Sequence, residues 1–272
     1  MPADRALLDG LHTSTPEMLR RHQHDAARRA RSDGRSSRSR HMHTIALIAD
    51  THGWLAPRVC PTLAREGVTE LLHAGDVGPG KKAVEQKDLR EGRRSSAGSL
   101  IAALEEVLPM VRAVRGNTDN GHDLPATLIH QVGDVRFIVH HGDQIRWQDD
   151  DAVLAALRPE GGWRETGDVI VSGHSHVPRF VRHPSGVLFL NPGTAGGPSE
   201  TTRFVNTFPQ QYAIVRCSGT TFEVSAIDLQ SETGEVHAWA EGEPSPCPVA
   251  SRKRKRAMLG MQPAGGAAAG SG

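Results

Sequence analysis

TIALIADTHGWLAPRVCPTLAREGVTELLHAGD (44–76) decides how the chain folds. It opens on TIALIAD (44–50), a short apolar run of β-forming residues that suits a buried strand. RVCPTLAREG (58–67) then predicts a helix stopping at Gly67, and ELLHAGD (70–76) predicts a second buried strand. The same rhythm continues outward: SLIAALEEVL (99–108) has apolar residues at helical spacing, and MVRAVRGN (110–117) reads as a third strand. Strand alternating with helix indicates parallel α/β packing.

Further along, TLIHQV (127–132) and VRFIVHHG (135–142) flank Gly133-Asp134, a two-residue hairpin signal. DDAVLAALR (150–158) reads as a helix and DVIVSGH (168–174) as another buried strand. FVRHPSGVLFLN (180–191) and YAIVRCSGTTFEVSAID (212–228) predict hairpins around Ser-Gly turns. The polar stretch GKKAVEQKDLREGRRSSAG (80–98) is read as a long loop.

The ends differ in kind. Residues 1–43 hold nine arginines, five acids and no lysine, and are read as a disordered Arg/Ser-rich extension. The folded domain spans 44–230, and 231–272 is read as a disordered tail carrying the basic cluster RKRKR (252–256). The chain has 32 Lys+Arg against 31 Asp+Glu, a net charge of +1, so no global field marks a nucleic-acid binder. Three cysteines among 272 residues are too few for a disulfide framework or a Cys-rich zinc site. No apolar run approaches the roughly 20 residues that cross a bilayer, and the start lacks a secretory pattern. These features lead us to expect a cytoplasmic protein, with nuclear or organellar placement as the alternative and no membrane partner.

Five motifs stand where predicted strands end: Asp50-x-His52, Gly75-Asp76, Gly116-Asn117-x-Asp119, His141-Gly142 and Gly173-His174-x-His176. Strand ends of an open α/β sheet converge on a crevice, and residues i and i+2 of an extended chain point the same way. Oxygen and imidazole donors without thiolate suit Mn²⁺, Fe, Zn²⁺ or Co²⁺. Seven donors exceed what one such ion takes, so two ions sharing a carboxylate is the economical reading.

That ordered set, with HAGD (73–76), VRGNTD (114–119), VSGHSHVP (171–178) and NPGT (191–194), resembles the calcineurin-like metallophosphoesterase superfamily. It is most similar to the small bacterial and archaeal phosphodiesterase branch that includes retromer-subunit-like proteins. The resemblance covers about 44–228 and implies a four-layer α/β/β/α sandwich of two packed mixed sheets flanked by helices. It implies one metal on Asp50, His52 and His176, another on Asn117, His141 and His174, and Asp76 as the bridge. His141 is preferred to His140 because the family's ligand stands immediately before the glycine. Manganese is the expected ion, with Fe, Zn, Co or Ni as alternatives.

The implied activity is phosphodiester hydrolysis by direct attack of a metal-bridging hydroxide, with Asp76, Asn117 and His141 at the reaction centre. The substrate would be a small phosphodiester or nucleotide rather than a nucleic acid, and the family often forms homo-oligomers. One position departs from many relatives: Thr118 stands where they carry a histidine thought to protonate the leaving group, and the small branch also lacks that histidine. Asp119 could simply cap the loop. Arg115 and Arg203 are read as solvated loop arginines. The competing expectations are a protein-interaction scaffold of the retromer-like type and a nucleic-acid-processing phosphodiesterase using RKRKR.

Overall fold

The computed structural model describes residues 42–81, 83–92, 94–119, 123–145, 149–196 and 209–249. Most of the Arg/Ser-rich extension, Arg203 and the basic cluster 252–256 lie outside the described residues. In chain order the first half reads β1 (His43–Ile48), α1 (Val59–Arg65), β2 (Glu70–His73), α2 (Ala83–Arg90), α3 (Ala97–Glu105) and β3 (Met110–Ala113). Then follow β4 (Thr127–Val132), β5 (Val135–His140), α4 (Asp150–Ala156), β6 (Asp168–Val171), β7 (Arg179–Arg182) and β8 (Leu188–Asn191). β9 (Gln211–Ser218), β10 (Thr221–Asp228) and β11 (Glu235–Trp239) complete it.

Two mixed sheets result, ordered β11-β10-β9-β1-β2-β3 and β4-β5-β6-β8-β7. β1, β2 and β3 run parallel, as do β5, β6 and β8. Residue alternation sorts the side chains into layers. Ile45 and Leu47 of β1 meet Phe137, Val139, Val169 and Leu190 in a core between the sheets. Ala46 and Ile48 face the other way, onto Val59 and Leu63 of α1 and Leu100 and Leu104 of α3. Ile138, Ile170 and Phe189 pack on Val153 and Leu154 of α4 behind the second sheet. The layers are therefore helix, sheet, sheet, helix, the expected sandwich. No helix among the described residues is long and apolar enough to cross a membrane.

Two boundaries need correction. The 80–98 stretch is not all loop, because α2 occupies its middle, and Ser96 caps α3 by accepting from Ser99 N–H at 3.1 Å. The assigned tail beyond 230 contributes β11, whose Trp239 is buried edge-on against Phe180, ring centres 6.0 Å apart. Cys247 is buried in the same core, so the folded unit runs on to 249 among the described residues. An edge strand with one buried side chain leaves little alternation in its sequence.

Because both parallel blocks end on one rim of the sandwich, the segments after β1, β2, β3, β5 and β6 are neighbours there. Backbone bonds lace them: Asp50 N–H donates to Gly75 O (3.0 Å), His52 N–H to Asp76 O (2.9 Å) and Gly173 N–H to His141 O (3.0 Å). Glycine is required where the laces are tightest, since a Cβ on Gly116 would lie 2.2 Å from the Asp76 amide nitrogen and from Oδ1.

The rim also holds the unusual backbone. Among the described residues, five that are not glycine have positive φ: Asp50 (54°), His52 (49°), Asp76 (53°), His174 (63°) and His176 (58°). Left-handed backbone costs an ordinary L-residue about 1–2 kcal/mol. With chelator present, His52→Gly should therefore be more stable than His52→Ala by about 0.5–1 kcal/mol, once glycine's extra unfolded-state entropy is subtracted. Urea unfolding of the two variants checks this, and an alanine variant equal to or above the glycine variant would count against strain at His52.

Candidate metal centre

All seven donors singled out in the sequence meet at this rim. On one side His176 Nε2 lies 3.3 Å from Asp50 Oδ1 and 3.4 Å from His52 Nε2. On the other, His141 Nε2 lies 3.3 Å from Asp76 Oδ1 and 3.1 Å from Asn117 Oδ1, and His174 Nδ1 is 2.9 Å from the same Asn117 oxygen. His52 Nδ1 reaches Asp76 Oδ2 at 3.9 Å, so Asp76 lies between the two groups. Asp50, His52 and His176 have donor atoms close enough to hold one cation, as do Asp50, Asp76 and His141. His140, the rejected neighbour, points away, into a small space with Val153, Arg179 and Phe189.

The carboxylates form a buried floor, Asp50 at 0% and Asp76 at 3% exposure, while Asn117 is exposed and His52, His174 and His176 are half-buried. A set of side chains with a dry floor and wet rim leaves one face open for a ligand.

Supporting contacts aim these groups. His141 Nδ1–H donates to Ala74 O at 2.8 Å, which fixes the tautomer and turns Nε2 toward Asp76. The Asp119 carboxylate accepts from Val77, Gly78 and Gly116 N–H (3.1, 2.8 and 2.9 Å), tying the loops after β2 and β3 together. Thr118 N–H donates to Asp76 Oδ1 (2.8 Å), and its hydroxyl donates to Gly78 O (3.1 Å). Asp50 accepts from His174 N–H (3.0 Å).

Several supports carried no assigned role in the sequence. The Thr51 hydroxyl donates to Val77 O (3.0 Å) and so accepts from His73 Nε2–H (2.9 Å), bracing the turn between Asp50 and His52. NPGT has a mechanical role: Asn191 Nδ2 donates to Gly173 O (2.9 Å), and Thr194 Oγ1 donates to Asp50 O (3.1 Å). His73 sat inside the quoted string HAGD, and Asn191 and Thr194 inside NPGT, and that was the available signal.

The charges explain why cations fit. Burial alone would lower the His141 pKa, but the hydrogen bond to Asp76 and the charges of Asp50 and Asp76 outweigh it and hold it at about 9. His176 behaves alike: burial lowers it, Asp50 more than offsets this, and the net shift is upward. Burial opposes ionisation of Asp76, yet His141, His52 and the Thr118 amide keep it well below the usual carboxylate range. Burial drives His73 and His140 down to about 4, so both are neutral at pH 7. Two buried carboxylates thus hold positive charge beside them, supplied here by protons and equally well by divalent cations. The donors are oxygen and imidazole nitrogen. The three cysteines lie buried elsewhere, their thiols pushed up by burial to about 11 (Cys60, Cys217) and about 12 (Cys247).

The calcineurin-like phosphoesterase superfamily domain matches residues 43–219. A probable metallophosphoesterase of Methanocaldococcus jannaschii is 29% identical over 183 residues, 62% of this chain and 82% of its own. Another, from Methanothermobacter thermautotrophicus, is 28% identical over 162 residues, 58% of this chain and 80% of its own. Among solved structures, vacuolar protein sorting 29 of Cryptosporidium parvum shares the fold with a TM-score of 0.54 at 21% identity, covering 73% of this chain and 96% of its own. The Entamoeba histolytica Vps29 solved in complex with Zn²⁺ has a TM-score of 0.50 at 20% identity, covering 72% and 97%. With the domain match spanning more than half of its length, and with a sandwich rim of oxygen and imidazole donors able to hold divalent metal, this chain belongs to the calcineurin-like phosphoesterase superfamily.

Proposed function

We propose that the protein is a phosphodiesterase using two divalent metal ions, one held by Asp50, His52 and His176, the other by Asn117, His141 and His174, with Asp76 shared. The observation that carries this is the convergence of seven donors on one rim, five of them on left-handed backbone. Two such ions would supply an activated water and offset charge on the phosphate oxygens. Manganese is the proposed ion, and Zn²⁺ accompanies the Entamoeba protein of this fold.

This chain's own residues limit the leaving group. Thr118 Oγ1 is committed to Gly78 O, and a threonine hydroxyl is a poor proton donor near neutral pH. Esters whose leaving group departs without a proton should therefore be favoured, and strongly basic alkoxides should leave slowly. Likeness to proteins named for vacuolar sorting supports a second reading, a protein-docking scaffold. The complete donor set favours catalysis.

Bis(p-nitrophenyl) phosphate should be hydrolysed with added Mn²⁺, faster than p-nitrophenyl phosphate, and Asp76→Asn should cut the rate by about 100-fold or more. Folded, Mn²⁺-loaded protein without any diester turnover would leave the scaffold reading. Metal uptake should also displace protons. His141 is held at about 9, so at pH 7 its Nε2 carries a proton that must leave before that nitrogen can coordinate. Mn²⁺ affinity should rise with pH and level off near pH 9. Titration calorimetry at pH 7 in two buffers of different ionisation heat should report about one or more protons released. Heats independent of the buffer would contradict the charge balance described above.

A further inference from the structure

The segment joining α2 to α3 grips the His52 turn. Arg94 Nη1 donates to His52 O at 2.7 Å, and Ser95 N–H donates to the next carbonyl, Gly53 O, at 2.6 Å. Arg94 is itself aimed: its Nε donates to Asp88 Oδ2 of α2 (3.3 Å), and its own N–H donates to Asp88 O (3.3 Å). The guanidinium side chain is only 8% exposed, beside an Asp88 side chain at 20%. Contact is close, because a Cβ on Gly53 would lie 2.4 Å from Ser95 O.

What this grip holds is the peptide of a residue in left-handed backbone, His52 at φ 49°, whose imidazole faces His176 and Asp76. The opposite half of the site is aimed by different contacts, Ala74 O on His141 and Asp119 across the loops. Each half therefore has its own support, and the contacts of Arg94 and Ser95 with the rim fall on the His52 half.

We propose that Arg94 is a positioning residue for the His52 half of the site: oriented by Asp88, its guanidinium fixes the His52 peptide, so that cation affinity on that half is linked to the Asp88–Arg94 contact. Resting on the two-ion reading above, it adds a means by which the α2 segment controls one ion without touching it. Linkage is reciprocal, so an ion bound there also steadies the segment.

Mn²⁺ titration calorimetry and electron paramagnetic resonance on wild type, Arg94→Ala, Arg94→Lys and Asp88→Asn test it. Loss of one outer-shell partner weakens metal affinity by about 10–100-fold. In Arg94→Ala one class of Mn²⁺ sites should weaken by that factor while the other keeps its affinity, and the signal of a coupled ion pair should fade at limiting Mn²⁺. Arg94→Lys, which retains one donor for His52 O, should recover part of the loss, and Asp88→Asn should fall between. Equal weakening of both classes, or no weakening in a folded variant, would overturn the proposal. Should Arg94→Ala fail to fold, hydrogen exchange on wild type decides: added Mn²⁺ should slow the Arg94 and Ser95 amides, and unchanged exchange would overturn the linkage. Wild type binding a single ion would overturn the two-ion reading instead. The Arg94 grip would then stand or fall on whether that single affinity drops in Arg94→Ala.

Discussion

Two carboxylates, Asp50 and Asp76, sit almost without water at the ends of neighbouring parallel strands. Buried charge is tolerated only when it is paired and hydrogen-bonded. Much of the surrounding architecture answers that demand. β1 and β2 place the acids side by side; β5 and β6 of the second sheet bring His141 and His174 across from them. Backbone amides of Thr118 and His174 take up carboxylate lone pairs, and imidazoles supply the positive charge. Take the acids away and the rim loses its reason to converge.

Legibility of the fold followed from where apolar residues cluster. TIALIAD, ELLHAGD and DVIVSGH are buried on both faces, so their strands read as unbroken apolar runs, and Gly133-Asp134 marked its hairpin. α2 escaped because AVEQKDLR is mostly polar. β11 escaped because a strand paired on one side only buries little beyond Trp239. The buried bidentate pair of Arg136 and Asp168, 2.9 and 2.6 Å across β5 and β6, was equally silent, since nothing local announces a partner 32 residues away.

The site was legible as a list of candidate donors and illegible as a mechanism of support. Donor residues advertise themselves because few other side chains can do their chemistry. Supports act through backbone atoms: His73 through Thr51, Asn191 through Gly173, Asp119 through three amides. Any residue able to reach the right carbonyl or amide could in principle serve, so type alone does not reveal them. Asp119 is intermediate: capping the loop was one option open to it in the sequence, and its carboxylate collects three loop amides.

The left-handed turns at Asp50, His52, Asp76, His174 and His176 also bear on how such a protein can change over generations. At each of these positions glycine relaxes the backbone while erasing a donor. Selection for the site and selection for a steadier fold therefore pull in opposite directions at the same codons. A lineage that ceased to need the rim could abandon it by steps that each relieve backbone strain, whereas rebuilding it would meet that strain at every step. The sandwich can outlive its chemistry.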